Sequence, residues 1–405
     1  MPKTAGGGGG GGASLYFYFF LIVGFAHAQT GVSTGVISET APRRPGPVQS
    51  SLGLQSSQYV SERQTFFRED AHANNTSLAL QVDARGKYRG LAGHLRFKDE
   101  FSAGENWNYL NVFEAYVAGN VGPAALALGR KIETWTAWEQ EWQTGFLQPR
   151  YLQNKIRPEL AGLAGLFAKI GKDRLSATAA FLPVHIPDLG AHFYTADNRF
   201  TSRNPWFAPP AGEFIFRDQS GEIRYSLNKP EYSQVMSHAG AIAKVDYHAG
   251  GLSARLAYAY KPISQFLLGF PSRERVVVDD ESVFMNVRIH ARTLYQRVTS
   301  LESVYEAGRL SFEGGVAHEN PVDKPAPEDW TAARIEPAWI TTAGVTLALE
   351  EPGPTAARVK MGLLKINGGD TDDSGDFSRV GDSLFEPRFP YTEAVQLTLY
   401  KPWRG

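Results

Sequence analysis

The stretch AGAIAKVDYHAGGLSARLAYAYK, Ala239 to Lys261, decides the fold because it holds two segments of alternating character around one turn. In its first half, Ala243 and Val245 fall on one face, while Lys244 and Asp246 fall on the other. The second half repeats this alternation after a glycine-containing turn. A period of two predicts β-strands, each with one apolar face and one polar face.

The same alternation returns along the chain, for example in Thr76–Arg85 and again in Ala357–Leu363. We place fourteen strands at 57–68, 76–85, 87–98, 108–118, 123–133, 161–170, 174–183, 236–248, 252–262, 282–305, 309–318, 334–350, 354–366 and 391–401. A soluble sandwich would also show such alternation. The connections distinguish a soluble sandwich from a membrane barrel, because short turns alternate with long connections at 100–107, 134–160, 184–234, 263–281, 320–333 and 367–389.

Strands of about ten residues joined by tight turns at one end and long loops at the other are typical of transmembrane β-barrels. The sequence therefore predicts an all-β, antiparallel transmembrane barrel of about 14 strands, with a range of 12 to 16. One segment competes with this interpretation, since the apolar residues of Pro158–Ile170 recur at helical spacing. Two glycines there disfavour a helix, and the up-and-down order of the barrel requires a strand.

The N-terminal residues predict an export signal ahead of the barrel. Leu15–Ala26 is apolar, and Ala26-His27-Ala28 forms a small-x-small cleavage site. The apolar run is short for a membrane-spanning helix, so a short membrane anchor is the less favoured alternative. We predict a signal peptide at 1–28, a disordered lead-in at 29–56 and the transmembrane barrel at 57–405.

Composition excludes several kinds of protein. The chain has no cysteine, which excludes disulfides, thiolate metal sites and a lipid-anchored cysteine. Without Lys3, 40 basic residues stand against 42 acidic ones, and no basic block is present. Nothing in this pattern indicates a nucleic-acid partner.

The chain resembles Gram-negative outer-membrane β-barrels of the porin or porin-like kind. The resemblance is carried by the alternating hairpins around Gly86, Gly122, Gly250 and Gly308 and by ALALGRKIETW, Ala125 to Trp135. It implies localisation in the bacterial outer membrane, contact with outer-membrane lipid, and passive or selective passage of solutes. The chain departs from the family's usual terminal aromatic residue, because Trp403 is followed by Arg and Gly.

If the apolar faces meet lipid, the polar faces line the lumen. The predicted pore-lining residues are Arg85, His94, Arg96, Lys98, Glu114, Lys244, Asp246, Arg255, Lys261, Arg358 and Lys360. Basic groups outnumber acidic ones in the set, which favours small polar or anionic solutes. The alternative is that these groups form ion pairs that stiffen the wall of a water-filled barrel.

Aromatic residues stand out in two predicted loops. Trp135, Trp138 and Trp142 have helical spacing, and Trp206 lies in the connection 184–234. We predict that the first three occupy a short helical turn at or above the outer rim, as membrane-interface anchors. A solute-binding cluster at the pore mouth is the alternative. The connection 184–234 is predicted either to fold inward as a plug or to cap the barrel outside.

One loop motif suggests a metal. Asp370, Asp372 and Ser374 match the start of a calcium-binding loop, but Gly381 stands where the twelfth-position glutamate belongs. A solvated acidic loop explains the motif better, so no cofactor is predicted beyond a weak possibility of loop calcium.

Three functions follow from the sequence, in order of preference. The first is a porin-like channel for small polar solutes, with a possible preference for anions. The second is a non-conducting surface barrel with a structural or adhesive role and a plugged lumen. The third is an outer-membrane enzyme, which we do not expect, since no nucleophile elbow, zinc-protease motif or P-loop is present.

Overall fold

The computed structural model describes seventeen segments of the chain. They are 19–22, 48–60, 74–88, 90–102, 108–152, 158–190, 193–202, 212–216, 219–228, 231–271, 276–279, 282–322, 330–350, 357–369, 371–373, 388–389 and 391–400.

Fifteen strands form the main sheet. They are β1 (Phe19–Ile22), β2 (Val48–Val60), β3 (Asn74–Tyr88), β4 (Leu91–Ser102), β5 (Asn108–Val121), β6 (Ala124–Lys131), β9 (Leu163–Lys172), β10 (Leu175–Val184), β15 (Gly240–Ala249), β16 (Leu252–Pro262), β20 (Tyr295–Ala307), β21 (Leu310–Val322), β23 (Ala338–Ala348), β24 (Arg358–Gly368) and β26 (Glu393–Tyr400). The strand β1 runs parallel to its neighbour β26, and the other fourteen are antiparallel in chain order.

The remaining elements lie in the connections between these strands. The strands are β7 (Arg150–Tyr151), β8 (Glu159–Leu160), β11 (Tyr194–Ala196), β12 (Arg199–Thr201), β13 (Glu213–Phe216), β14 (Gln219–Asn228), β17 (Leu267–Pro271), β18 (Val276–Asp279), β19 (Ser282–Arg292), β22 (Trp330–Ile335) and β25 (Thr371–Asp373). The helices are α1 (Ala137–Trp142) and α2 (Tyr232–Met236). In the part of the chain that the structure describes, no helix is long and apolar enough to cross a membrane.

The hairpin of β15 and β16 shows the predicted alternation. Val245 pairs with Leu256 across the two strands, and both side chains are exposed on the outer face. The next pair, Asp246 and Arg255, turns inward, where their side chains hydrogen-bond each other. The sheet is thus apolar outside and charged inside, the reverse of a soluble protein.

The main sheet curves into a barrel. One cluster of buried residues draws wall side chains from β6, β9, β10, β15, β16, β20, β21, β23 and β24 around the same segment of chain, 135–147. Strands so far apart in the sheet can surround one segment only if the sheet bends back on itself. The prediction of an antiparallel barrel of about 14 strands is confirmed, including a strand at β9 in place of a helix.

The first antiparallel strand begins earlier than predicted. Val48–Val60 forms β2, so its first part lies inside the segment 29–56 that was predicted as a disordered lead-in. The Ser-rich composition of this segment concealed its continuous pairing with β3. The predicted strand 57–68 overlaps β2 at its start, and its remainder lies outside the described residues.

Strands from several long connections join in a second sheet, in the order β13-β14-β19-β17-β22-β25, with β18 beside β19. The predicted single strand 282–305 is wrong, because it divides into β19 in this second sheet and β20 in the barrel. Alternate side chains of β19 are buried in a separate apolar cluster: Val283, Met285, Val287 and Ile289. Within the connection 184–234, β11 pairs with β12 and β13 with β14, and β14 also pairs with β19.

Candidate functional site

The connection after β6, predicted as loop 134–160, enters the barrel. We call its described part, residues 132–152, the inner loop. It leaves the wall after Lys131, the last residue of β6. Shortly before that point, Gly129 has a φ of 129°, and a Cβ added there would lie 2.3 Å from the Ala115 carbonyl oxygen. The next residue, Arg130, donates from Nε to the Gly162 carbonyl at 3.0 Å and from Nη1 to the Asn111 amide oxygen at 3.3 Å.

Replacing Gly129 with alanine should therefore destabilise the barrel by about 3 kcal/mol or more, since backbone strain adds to overpacking. Urea unfolding followed by tryptophan fluorescence measures the change. Gly93→Ala is the matched control, because a Cβ there has no heavy atom within 4 Å. Equal unfolding midpoints for the two variants would contradict the role given to Gly129.

A buried glutamate holds the inner loop together. The Glu139 carboxylate accepts hydrogen bonds from the Thr144 hydroxyl at 2.7 Å and from the Leu147 and Gln148 backbone N–H groups at 3.2 and 3.3 Å. The Thr136 hydroxyl caps α1 by accepting from the Glu139 N–H at 3.2 Å. Complete burial raises the pKa of the Glu139 carboxyl, although these hydrogen bonds act to lower it. The loop is therefore a folded unit with its own internal support.

The three tryptophans of the inner loop are inside the barrel, so the prediction that they anchor the membrane interface is wrong. Trp135, Trp138 and Trp142 are 0%, 3% and 7% exposed. Trp135 stacks on Phe167 of β9 with ring centroids 6.4 Å apart, and Trp138 meets Phe146 edge-on at 5.9 Å. Aromatic rings gain free energy when their apolar surface is buried in packed contacts, and the inward loop brings these rings into such contacts.

Glycines on the far wall make room for these rings. A Cβ added at Gly315 of β21 would lie 3.4 Å from the Trp138 side chain. A Cβ added at Gly362 of β24 would lie 3.2 Å from the Trp142 side chain. The inner loop therefore crosses the interior from β6 and rests on β21 and β24.

A chain of charged groups joins the start of the inner loop to one wall. Lys131 and Lys244 both bind the Glu133 carboxylate, at 2.6 and 3.0 Å. Further along the wall, Arg255 contacts Asp246 and also binds Glu302 at 2.7 Å.

The chain of charges ends on α1. The Glu302 carboxylate accepts from the Ala137 N–H, with its two oxygens at 2.7 and 3.0 Å from the nitrogen. The carboxylate thus satisfies a free N–H group in the first turn of the helix. At the other end of α1, Glu141 pairs with Lys360 of β24 at 2.9 Å. Burial acts to raise the pKa of the Glu133 carboxyl, but its hydrogen bonds and ion pairs with Lys131 and Lys244 lower that pKa overall.

A second group of charges supports the loop from β3, β4 and β5. The imidazole of His94 lies between Asp83, at 3.1 Å, and Glu114, at 3.3 Å. Glu114 also accepts from the Ile132 N–H at 2.9 Å, which fixes the start of the inner loop. Lys98 binds Glu159, just beyond the loop's other end, at 2.6 Å.

The far end of the inner loop is clamped by other connections. Arg388 binds Glu319 of β21 through two contacts of 2.6 Å and lies over the ring of Phe146. Arg150 binds Asp188 at 2.9 Å. All four charged side chains are buried. The loop is thus held from the wall and from the long-loop end.

The predicted pore-lining residues fall into three groups. The structure brings most of them to the inner face in ion pairs or close contacts: His94, Arg96, Lys98, Glu114, Lys244, Asp246, Arg255 and Lys360. Arg85 and Arg358 are exposed towards the short-turn ends of their strands.

Lys261 does not line a pore, since it is 2% exposed and donates to the Pro262 carbonyl and the Ser264 hydroxyl. Lys261 points into the barrel, as the alternation predicted. The inner loop fills the barrel at that level, so no open lumen lies beside this side chain.

Four other predicted site residues have no described side chain. Trp206, Asp370 and Ser374 lie outside the described residues, and Asp372 is described only as part of the backbone of β25. Among the described residues, no group of three or more candidate metal ligands occurs.

Sequence reasoning missed the acidic partners that hold the inner loop: Glu133, Glu139, Glu141, Glu302 and Glu319. For one of them a signal was present, since Thr136 followed by Glu139 matches the S/T-x-x-E pattern of a helix N-terminus. The others lie more than 100 residues from their partners or carry no motif, so nothing local could reveal them.

Comparisons with known proteins give relatives in structure alone. No protein-family model matches the sequence, and neither does any curated protein. Solved structures that match include OmpF of Salmonella typhi in complex with daunomycin, which is 12% identical over 80% of this chain and 82% of that chain, with a TM-score of 0.40. Another is OmpT, an outer membrane protein of Vibrio cholerae, 11% identical over 79% of this chain and 87% of that chain, with a TM-score of 0.31.

A third is the anion-selective porin from Comamonas acidovorans, 11% identical over 80% of this chain and 90% of that chain, with a TM-score of 0.29. Side chains such as Leu128, Phe181 and Leu301 give the barrel an exposed apolar outer surface that suits lipid. The chain is an antiparallel β-barrel with an apolar outer surface and a charged interior.

Proposed function

We propose that this chain is an outer-membrane channel for small polar solutes, with passage limited by the inner loop, and that it has no catalytic role. The main support is the charged inner surface, which runs from Asp83 and Glu114 through Lys244 and Arg255 to Lys360. Buried charges cost free energy, and a barrel that conducts nothing gains little from keeping so many of them. A hydrated path along this surface accounts for them.

Unpartnered polar atoms along the inner loop also support a hydrated path. The indole N–H groups of Trp135 and Trp138, the Gln148 amide nitrogen and the Gln296 amide oxygen are buried without a hydrogen-bond partner among the described residues. Buried polar groups that lack a protein partner are commonly satisfied by water. We therefore expect water between the loop and the wall, where small solutes could also pass.

A second function, the non-conducting barrel, is favoured by a different observation. Around the tryptophans, wall side chains such as Ile242, Val298 and Ile340 form a continuous apolar cluster with the inner loop. Apolar clusters of this kind exclude water, and a complete one would close the barrel. The two functions differ in whether the contact between loop and wall is hydrated.

Planar-bilayer recording of the refolded full chain separates the two functions. If the channel function is correct, we expect small discrete current steps in concentrated salt, because the inner loop leaves a narrow hydrated route. Insertion can be verified independently by protection of the strands from added protease. A protein that inserts but gives no steps would overturn the channel function and leave the structural barrel.

A further inference from the structure

We propose that the short-turn end of the barrel holds a binding site for small anions, a phosphate or carboxylate group, centred on Lys169 and Lys172. A pocket of about 490 Å³ lies there, between the turn of the β5–β6 hairpin and the turn of the β9–β10 hairpin. Several of the residues that line it have polar side chains, among them Lys169, Lys172, Asn120 and Ser176. The volume falls in the range of small-molecule sites in proteins.

The two lysines differ from five basic side chains of the inner face that are ion-paired. Lys98, Lys131, Lys244, Arg255 and Lys360 each contact a carboxylate. Within the described segments, Lys169 and Lys172 make no ion pair. The charges of those five side chains are therefore neutralised, whereas the charges of Lys169 and Lys172 are available in this pocket.

The fold directs Lys169 into the interior. It lies two residues below Phe167, which is buried inside the barrel, and opposite Thr178, whose side chain is also inward and buried. The Thr178 hydroxyl has no hydrogen-bond partner among the described residues, so this neighbour leaves the ammonium free. Lys172 is the last residue of β9, opposite the outward-facing Leu175, and it lines the pocket from the turn that begins at Asp173.

The chemistry of the lining selects an anion. Two ammonium groups exceed the single carboxylate, Asp173, that lines the pocket, while the Asn120 amide and Ser176 hydroxyl can donate further hydrogen bonds. Charge-assisted hydrogen bonds from lysine suit phosphate and carboxylate oxygens. If the site also selects the solutes that the barrel transports, those solutes carry a negative charge. This extension to transport rests on the proposed channel function.

Equilibrium binding of inorganic phosphate to the refolded full chain in detergent tests the site directly. We expect saturable binding that either Lys169→Gln or Lys172→Gln weakens by about tenfold, the effect of losing one charge-assisted hydrogen bond. Lys87→Gln is the matched control, since it removes one exposed lysine from the same end of the barrel without touching the pocket. We expect it to bind phosphate like the parent chain.

A parallel titration with acetate distinguishes a phosphate site from a carboxylate site, and saturable binding of either anion supports the inference. Absence of binding for both anions, or equal weakening by Lys87→Gln, would overturn it. Because binding is measured without a bilayer, the result is independent of conductance. A protein that binds phosphate but passes no current would overturn the proposed function alone, and one that conducts without binding would overturn this site alone.

Discussion

Replacing Trp138 and Trp142 together with alanine should open the barrel and raise its single-channel conductance several-fold. Both rings fill the space between the inner loop and the far wall, against Gly315 and Gly362. Removing a buried tryptophan costs about 3–5 kcal/mol, and here much of that cost would fall on the attachment of the loop. The loop should then leave the wall for part of the time and widen the path.

The measurement is planar-bilayer conductance, together with protease cleavage within the inner loop. Trp339→Ala is the matched control, because that ring is 53% exposed on the outer face of β23 and touches no part of the path. We expect the control to conduct like the parent chain. Unchanged conductance in an inserted double variant would contradict the role of the two rings as an obstruction.

The second large effect concerns the buried pair of Arg388 and Glu319. Arg388→Ala should destabilise the protein by about 3–5 kcal/mol, since it leaves the Glu319 carboxylate buried without its partner. The side chains are 4% and 0% exposed, so solvent cannot replace the lost contact. The unfolding midpoint in urea, followed by tryptophan fluorescence, reports the change.

The chain supplies its own control in the exposed pair of Lys365 and Glu393, whose side chains are each 57% exposed at 2.9 Å. Lys365→Ala should change stability by no more than about 1 kcal/mol. Replacing Arg388 and Glu319 together with methionine and leucine should restore most of the loss, because no charge then remains buried. A double variant as unstable as Arg388→Ala would show that packing, and not the charge, sets the effect.

Much of the barrel was predictable from sequence because each strand carries its own signal. The hairpin around Gly250 places Val245 and Leu256 outside and Asp246 and Arg255 inside, as the alternation predicts. The segment at Leu163–Lys172 was ambiguous locally, and the up-and-down order of its neighbours resolved it as a strand. Short-range periodicity and chain order contain this information, so no tertiary contact was needed.

The loops could not be predicted in the same way. The strand β19 pairs with β14 and β17, which come from other connections, so its separation from β20 depends on distant partners. The helical spacing of the three tryptophans was genuine, but spacing says nothing about which side of the rim a loop occupies. Its inward direction depends on Glu302 and Lys360, far along the chain.

The sequence by itself determined the class of fold, the approximate number of strands and which face of each strand is polar. Alternation is a local property, and the difference between short and long connections orders the strands. Only the tertiary structure decided what fills the barrel. It brings Trp138 to Gly315 and Lys244 to Glu133 across more than 100 residues, and among the described residues it gives Lys169 no ion pair. Whether a charged side chain faces water or forms an ion pair depends on that packing. Neutralising its charge requires a partner that only the folded barrel supplies.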